Sequence, residues 1–483
     1  MTEGPAGAAV AIDQGTTATK AHRLDPDGRF ETFATVEHRQ IYPQPGWVEH
    51  DPEELLASIR ACLQRSGDAS ALGIANQGET VVAWDASTGR PVHNAIVWQD
   101  ARTRDRIERL KSEGAEALTL ERAGLPLDPY FSASKLRWLI DHTEDAADLL
   151  RRGRLRLGTS DAFFLDRLAG RYVTDVTTAS RTSVMNLATR QWDPELCGLF
   201  GVPMEALPEI VPTAGELATV AHEGRDMPLT ASVVDQQAAL FGHGCHGAGQ
   251  AKITFGTGAF ALALVGPSPR RDSGSGLLPT IAWQIGDGPA DYAVDGGVYN
   301  AASAVNWARD LGLFAAFDEI DRFEGKAAIA RGLVFVPALS GLACPHWDRR
   351  AAGMWLGLGL ETTRLDLVRA VLEGVALRSA EVLREIGRLV ELTGPVSVDG
   401  GLSRNGYFRT FLANALGREV TVPSSAELTG LGTAQLALLG AGAPRDALPP
   451  APRAACRVRP TNPLPADMLA RFDAAVSRAR AWR

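Results

Sequence analysis

An apolar stretch, a tight glycine and threonine turn and a second apolar stretch follow one another near residue 8 and again near residue 252. In the first copy Ala8–Ile12 reads as a strand, Asp13-Gln14-Gly15-Thr16-Thr17 as the turn and Thr19–Arg23 as the returning strand. In the second, Lys252–Phe255 leads through Gly256-Thr257-Gly258 into Ala259–Val265. Apolar runs this short, bounded by turn residues, are strands rather than helices. The chain therefore begins a hairpin twice, and each hairpin needs further elements to cover its apolar faces.

Those elements follow in both halves. After the first hairpin, an Asp25–Gly28 turn leads to a third strand. A helix starts at Asp51, with Pro52 at its first position and Glu53 and Glu54 in its first turn. Short strands are expected at Leu72–Ala75, Val81–Trp84, Ala95–Trp98 and Ala231–Val234. In the second half, strands are expected at Tyr292–Val294, Val334–Val336 and Val396–Val398. Over 365–390, Leu365, Val368, Leu372, Val375, Val382, Ile386 and Leu389 fall on one helical stripe. A helix from Asn405 to Leu416 should stop at Gly417, and Ala443–Arg453 reads as a loop. The layout predicts two related α/β lobes, 1–244 and 245–483, with a cleft between them.

Bulk properties narrow the function. Lysine plus arginine is 49 against 57 acidic residues, a net charge of −8, which argues against broad nucleic-acid or anionic-membrane binding. The five cysteines are scattered and form no CxxC pair; reduced, mostly buried thiols are expected. No run approaches the roughly 18 apolar residues of a membrane helix. No basic segment followed by an apolar run opens the chain, so a cytoplasmic protein is expected.

The two turns suit phosphate. Glycine lets backbone N–H groups approach an anion, threonine hydroxyls add donors, and Lys20 adds charge. Each turn could equally be a plain hairpin turn. The GxxxxGK[ST] phosphate loop and the protein-kinase motifs are absent.

Longer motifs give the chain a family likeness. Tyr130 to His142 (YFSASKLRWLIDH) and Gly353 to Glu373 (GMWLGLGLETTRLDLVRAVLE) fit the two signatures of the FGGY carbohydrate kinases. DQGTT, IYPQPGWVEHDP, NAIVWQ, DPYF, TASRT and DQQAALFG most resemble the glycerol kinases within that family. The resemblance covers about residues 8 to 445. It implies two ribonuclease-H-like lobes of the actin and hexokinase type, and transfer of phosphate from ATP with Mg²⁺ to a polyol or sugar. It implies Asp13 as the support for Mg²⁺, and Thr16, Thr17, Lys20, Gly256, Thr257, Gly400, Gly401 and Asn405 near the nucleotide. Lys20 stands where arginine is usual, and Leu402 where alanine is usual. Dimers or tetramers are common in the family.

Asp235 follows an apolar strand and precedes an expected helix, so it suits either a helix N-cap or a base facing the cleft. The resemblance favours the base. It also implies Glu79, Tyr130, Asp235 and Gln236 as hydroxyl ligands, with Trp98 and Phe260 against the carbon skeleton. One departure bears on substrate. Glycerol kinases read NQRET where this chain reads Asn76-Gln77-Gly78-Glu79-Thr80. Losing a charged donor to a substrate hydroxyl costs roughly 1.5–3 kcal/mol, and the vacated space could admit a longer polyol such as erythritol or a pentitol. The opposing expectation is that Arg102 reaches in and glycerol remains the substrate. A nucleotide-binding scaffold or sensor without catalysis is the alternative from another class.

Overall fold

The computed structural model describes residues 7–222, 224–272 and 274–483. Two mixed sheets dominate it, and they share a plan. In the first, Ala9–Gln14 pairs antiparallel with Ala18–Leu24, which pairs antiparallel with Phe30–Glu37. On its other side Ala9–Gln14 runs parallel to Ala71–Asn76, which runs parallel to Arg225–Val234. Ala214–His222 closes that edge. In the second, Ala251–Phe255, Ala259–Gly266 and Ala290–Val298 form the antiparallel meander. Val396–Gly400 and Val420–Pro423 add in parallel on the other side. Leu278–Gln284 and Ala454–Val458 form the two edges.

The central strands are buried on both faces, which their unbroken apolar sequence anticipates. Ala9, Val10, Ala11 and Ile12 are fully buried. The first turn closes through the Gly15 N–H, which donates to the Ala18 carbonyl at 3.1 Å. The helix Pro52–Leu63 covers one face of the first sheet with Leu55, Leu56, Ile59 and Leu63, and the Asp51 carboxylate caps it at the Glu53 N–H. The helix Arg364–Leu389 does the same for the second sheet with Val368, Leu372, Val375 and Val382.

Several elements run longer than their apolar cores suggest, and Leu278–Gln284 is a strand the sequence reading does not include. Tyr292–Val294 is the middle of a strand running Ala290–Val298, whereas Ala95–Trp98 shrinks to Ala95–Ile96. The helix after Asn405 runs Gly406–Leu416, capped by the Asn405 side chain and ended by Gly417 at φ 61°. Ala443–Arg453 is irregular apart from a single turn at Arg445–Ala447.

A late helix, Leu428–Gly440, packs on the first sheet rather than the second. Its sequence, LTGLGTAQLALLG, is apolar nearly all round, as a helix buried on every side must be. It meets the helix Asp235–Gly242 backbone to backbone. A Cβ at Gly432 would lie 1.9 Å from the Ala238 carbonyl, and one at Gly242 would lie 2.1 Å from the Leu428 carbonyl. Only glycine permits that approach. The contact fixes the helix that carries Asp235 from below. Among the described residues, no helix is long and apolar enough to cross a membrane.

Candidate active site

Ligands of open α/β sheets collect beyond the carboxyl ends of the parallel strands. Here a cavity of about 200 Å³ lies there, walled by both halves of the chain. Glu79, Trp98, Tyr130, Asp235, Gln236 and Phe260 all line it, together with Thr16, Gly256 and Thr257. The substrate residues expected from sequence thus come together from five separate segments.

Each is held by its own local structure. Glu79 follows the strand Ala71–Asn76 with φ 59°, a left-handed conformation disfavoured for a residue with a Cβ. Arg181 Nε donates to its carboxylate at 2.6 Å, and the Ser132 hydroxyl donates to its carbonyl at 3.3 Å. Tyr130 sits in a turn closed by its N–H on Asp128 Oδ1, at 2.9 Å. Trp98 packs edge-on against Tyr130 and Phe260, and its indole N–H donates to Thr16 Oγ1 at 3.3 Å. Asp235 is the first residue of its helix, not the N-cap, a position Val234 takes without a side-chain bond. Its Oδ1 accepts the neighbouring Gln236 N–H at 2.6 Å. Gln236 is oriented by buried Lys252, whose ammonium donates to Gln236 Oε1 at 2.6 Å and to Thr254 Oγ1 at 3.0 Å.

The cavity wall is rich in carboxylates. Burial pushes Asp235 up from 3.8 to about 6, Glu79 raises it further, and Lys252 pulls it back. Asp13 rises to about 7, through burial first and then repulsion by Asp235 and Glu427, with Lys20 opposing. Burial also raises Glu79 and Asp295, while Arg181 draws both down.

Two further cavities extend the site into a cleft. One of about 530 Å³ is lined by Asp13, Lys20, Thr254, Gly400, Gly401 and Glu427, and so shares Thr254 with the first. Another of about 560 Å³ is lined by Val305, Ile320, Gly401, Leu402, Arg404 and Asn405. Gly400 takes φ 86°, and a Cβ there would lie 2.2 Å from the Phe255 carbonyl, so only glycine fits between these strands. Two expected nucleotide residues are already engaged. Both carboxylate oxygens of Glu427 hold Lys20 Nζ at 2.8 Å. The Asn405 carboxamide accepts from the Phe408 N–H and donates to the Ile320 carbonyl. Thr17 is exposed and lies outside these cavities.

The structure corrects the expectation that Arg102 stands in for the missing arginine at Gly78, which itself lines the cavity. Arg102 does not reach the cavity; its side chain is buried between Asp100 and Glu49, with its guanidinium over the Trp47 and Trp138 rings. The guanidinium in the cavity wall belongs to Arg181. The space beside Gly78 is also not fully vacant, because Val234 Cγ1 lies 3.2 Å from where a Cβ would stand. Sequence reasoning assigned no role to Arg181, Lys252 or Asp295. A charged residue inside an otherwise apolar strand was the available signal for Lys252 and Asp295.

Family comparison decides the class. Residues 8–242 match the N-terminal domain of the FGGY family of carbohydrate kinases, and residues 251–441 match its C-terminal domain. The chain belongs to that family. This FGGY kinase is 41% identical to a glycerol kinase of Burkholderia vietnamiensis over 90% of its own length and 89% of the relative's. It is likewise 41% identical to a glycerol kinase of Geobacter sp. strain M21, over 90% of each chain. Its fold matches the crystal structure of Plasmodium falciparum glycerol kinase with ADP, with TM-score 0.88, 28% identity and 99% of each chain covered. A xylulose kinase from Rhodospirillum rubrum matches with TM-score 0.83 at 23% identity, over 98% of each chain. The FGGY kinase is therefore a glycerol-kinase-like phosphotransferase with an alcohol acceptor, built from two α/β lobes of the actin and hexokinase type.

Proposed function

We propose that the enzyme transfers the γ-phosphoryl group of ATP to a hydroxyl of a small polyol, and that its preferred acceptor is longer than glycerol, such as erythritol or a pentitol. The observation that carries this reading is the 200 Å³ cavity, where Asp235 and five further candidate ligands meet at the end of a glycine-lined cleft. In this reading residues 1–244 supply most of the polyol contacts, residues 245–483 supply most of the nucleotide contacts, and the protein works alone or as a homodimer or homotetramer.

Phosphoryl transfer needs positioning, charge neutralisation and a base for the attacking hydroxyl. Asp235 is that base. Its value near 6 leaves it ionised at neutral pH yet basic enough to accept a proton as the O–P bond forms. Glu79 and Gln236 fix acceptor hydroxyls, Lys252 holding the Gln236 oxygen so that its NH₂ group faces Asp235 and the substrate. Trp98 and Phe260 cover the carbon chain and exclude water, which would otherwise compete for the phosphoryl group.

The backbone N–H groups at Thr16, Gly256 and Thr257, with Gly400 and Gly401 further along the cleft, suit the phosphates. Lys20 can reach them by exchanging Glu427 for phosphate oxygen. Asn405 serves by shaping the wall of the larger cavity, since its side chain is committed. The residues present fit a magnesium ion carried chiefly by phosphate oxygens. Among the described residues no cluster of three acidic, histidine or cysteine side chains could cage a metal, but Asp13 is a half-buried carboxylate crowded by Asp235 and Glu427, with Lys20 opposing them. Bound there, Mg²⁺ would neutralise the phosphates.

A second reading, glycerol as the preferred acceptor, draws on Val234, which occupies part of the room beside Gly78. Coupled ADP release across glycerol, erythritol, the pentitols and three- to seven-carbon ketoses separates the two. The proposal expects the highest kcat/KM on an acceptor of four or more carbons; glycerol as the best substrate would overturn that choice.

A further inference from the structure

One part of the cavity wall has no place in the mechanism above. Arg181, in the sequence TASRT, and Asp295, inside the strand Ala290–Val298, both line the cavity and are 3% and 6% exposed. Arg181 Nη2 pairs with Asp295 Oδ2 at 3.1 Å, while Arg181 Nε holds Glu79. Among the described residues, Arg181 Nη1, a donor, and Asp295 Oδ1, an acceptor, make no hydrogen bond of good geometry, although the Tyr130 hydroxyl lies near the Arg181 guanidinium. Buried polar atoms are almost always satisfied, and leaving each one unpaired costs about 1–3 kcal/mol. The pair also costs more than it needs to for folding alone, because two charges have been brought out of water.

We infer that Arg181 and Asp295 form a further hydroxyl subsite, taking an acceptor hydroxyl beyond the three that Asp235, Gln236 and Glu79 with Tyr130 serve. A hydroxyl donates one hydrogen bond and accepts others, so a single substrate O–H can accept from Arg181 Nη1 and donate to Asp295 Oδ1. Charge-assisted bonds of this kind are strong and directional. Three hydroxyls exhaust glycerol. The fourth hydroxyl of a longer polyol is the group with reason to reach this pair. The chemical class is thus a linear polyol of four or more carbons with a hydroxyl on each. The inference rests on the polyol-kinase reading and names the contact that sets acceptor length.

Asp295 offers the cleaner test, because Arg181 also supports Glu79. Asp295→Ala removes the acceptor and leaves Arg181 paired with Glu79; Asp295→Asn keeps the volume and serves if the alanine variant folds poorly. Coupled ADP release should be measured on glycerol, erythritol and a pentitol, with the wild type and both variants. The inference expects kcat/KM on the longer polyols to fall about 10- to 100-fold in the alanine variant and that on glycerol to change less than about threefold. Structural damage would move every acceptor alike, so a parallel fall, or no fall, overturns the subsite while leaving the kinase reading intact. Wild-type protein that turns over no polyol at all overturns the kinase reading, and the subsite with it.

Discussion

Replacing Asp235 by Asn should make the protein both inactive and more stable. The carboxyl is raised from 3.8 to about 6, mainly by burial. Such a group contributes full stability only below its unfolded value and loses it as pH rises through the folded value. At roughly 1.36 kcal/mol per pH unit, the gap from 3.8 to about 6 corresponds to at most about 3 kcal/mol of destabilisation above pH 7. Water in the cavity screens part of this, so a gain of about 1–3 kcal/mol is expected for the variant. Asparagine keeps the shape, and its carbonyl can still accept the Gln236 N–H. Urea denaturation followed by tryptophan fluorescence should show the gain near pH 8 and its loss near pH 4, where wild-type Asp235 is protonated as well. Turnover should fall about 10²- to 10⁴-fold with nucleotide binding retained. A variant no more stable at pH 8, or a gain that ignores pH, would refute the electrostatic reasoning; near-normal turnover would refute the base assignment.

Activity should itself report the same carboxyl: kcat/KM should be flat near pH 7.5 and fall below about pH 6, and the acid limb should vanish from residual Asp235→Asn activity. Lys252→Met should raise KM for the polyol about tenfold or more, because the Gln236 carboxamide is released, and an unchanged KM would show that this bond does not orient substrate. Gly78→Arg alone should fail to improve glycerol use, since its Cβ presses on Val234, whereas Gly78→Arg with Val234→Gly should improve it; equal behaviour of the single and double variants would dismiss the coupling. Glu427→Gln should tighten ATP binding by freeing Lys20, and weaker binding would instead assign Glu427 to the nucleotide.

Much of the scaffold was legible because it rests on local signals. The twin hairpins announce themselves by apolar runs and glycine turns, and Asp51-Pro52-Glu53-Glu54 marks its helix start without help from the rest of the chain. Leu278–Gln284 was less visible, because LPTIAWQ carries at its second position a proline, Pro279, that an edge strand tolerates and a central strand does not. The site divides the same way. Glu79, Tyr130, Asp235 and Gln236 stand in motifs long enough to carry a resemblance. Arg181 and Asp295 are 114 residues apart and acquire meaning only when the fold sets them 3.1 Å from each other. Whether Arg102 or Arg181 enters the cavity is likewise not a local matter: Asp100 and Glu49 capture Arg102 through strand pairing between Glu49–His50 and Ala95–Ile96. The Val234 methyl beside Gly78 is another such fact, since it joins two parallel strands at their ends.

A polyol kinase moves phosphate from ATP to a polyol hydroxyl. Phosphorus NMR of the purified protein with Mg·ATP and erythritol follows that atom directly. A new phosphomonoester resonance should rise in step with ADP, and faster than with glycerol at equal concentration. ADP accompanied only by inorganic phosphate, or unchanged ATP in the presence of every polyol, would contradict the polyol-kinase reading.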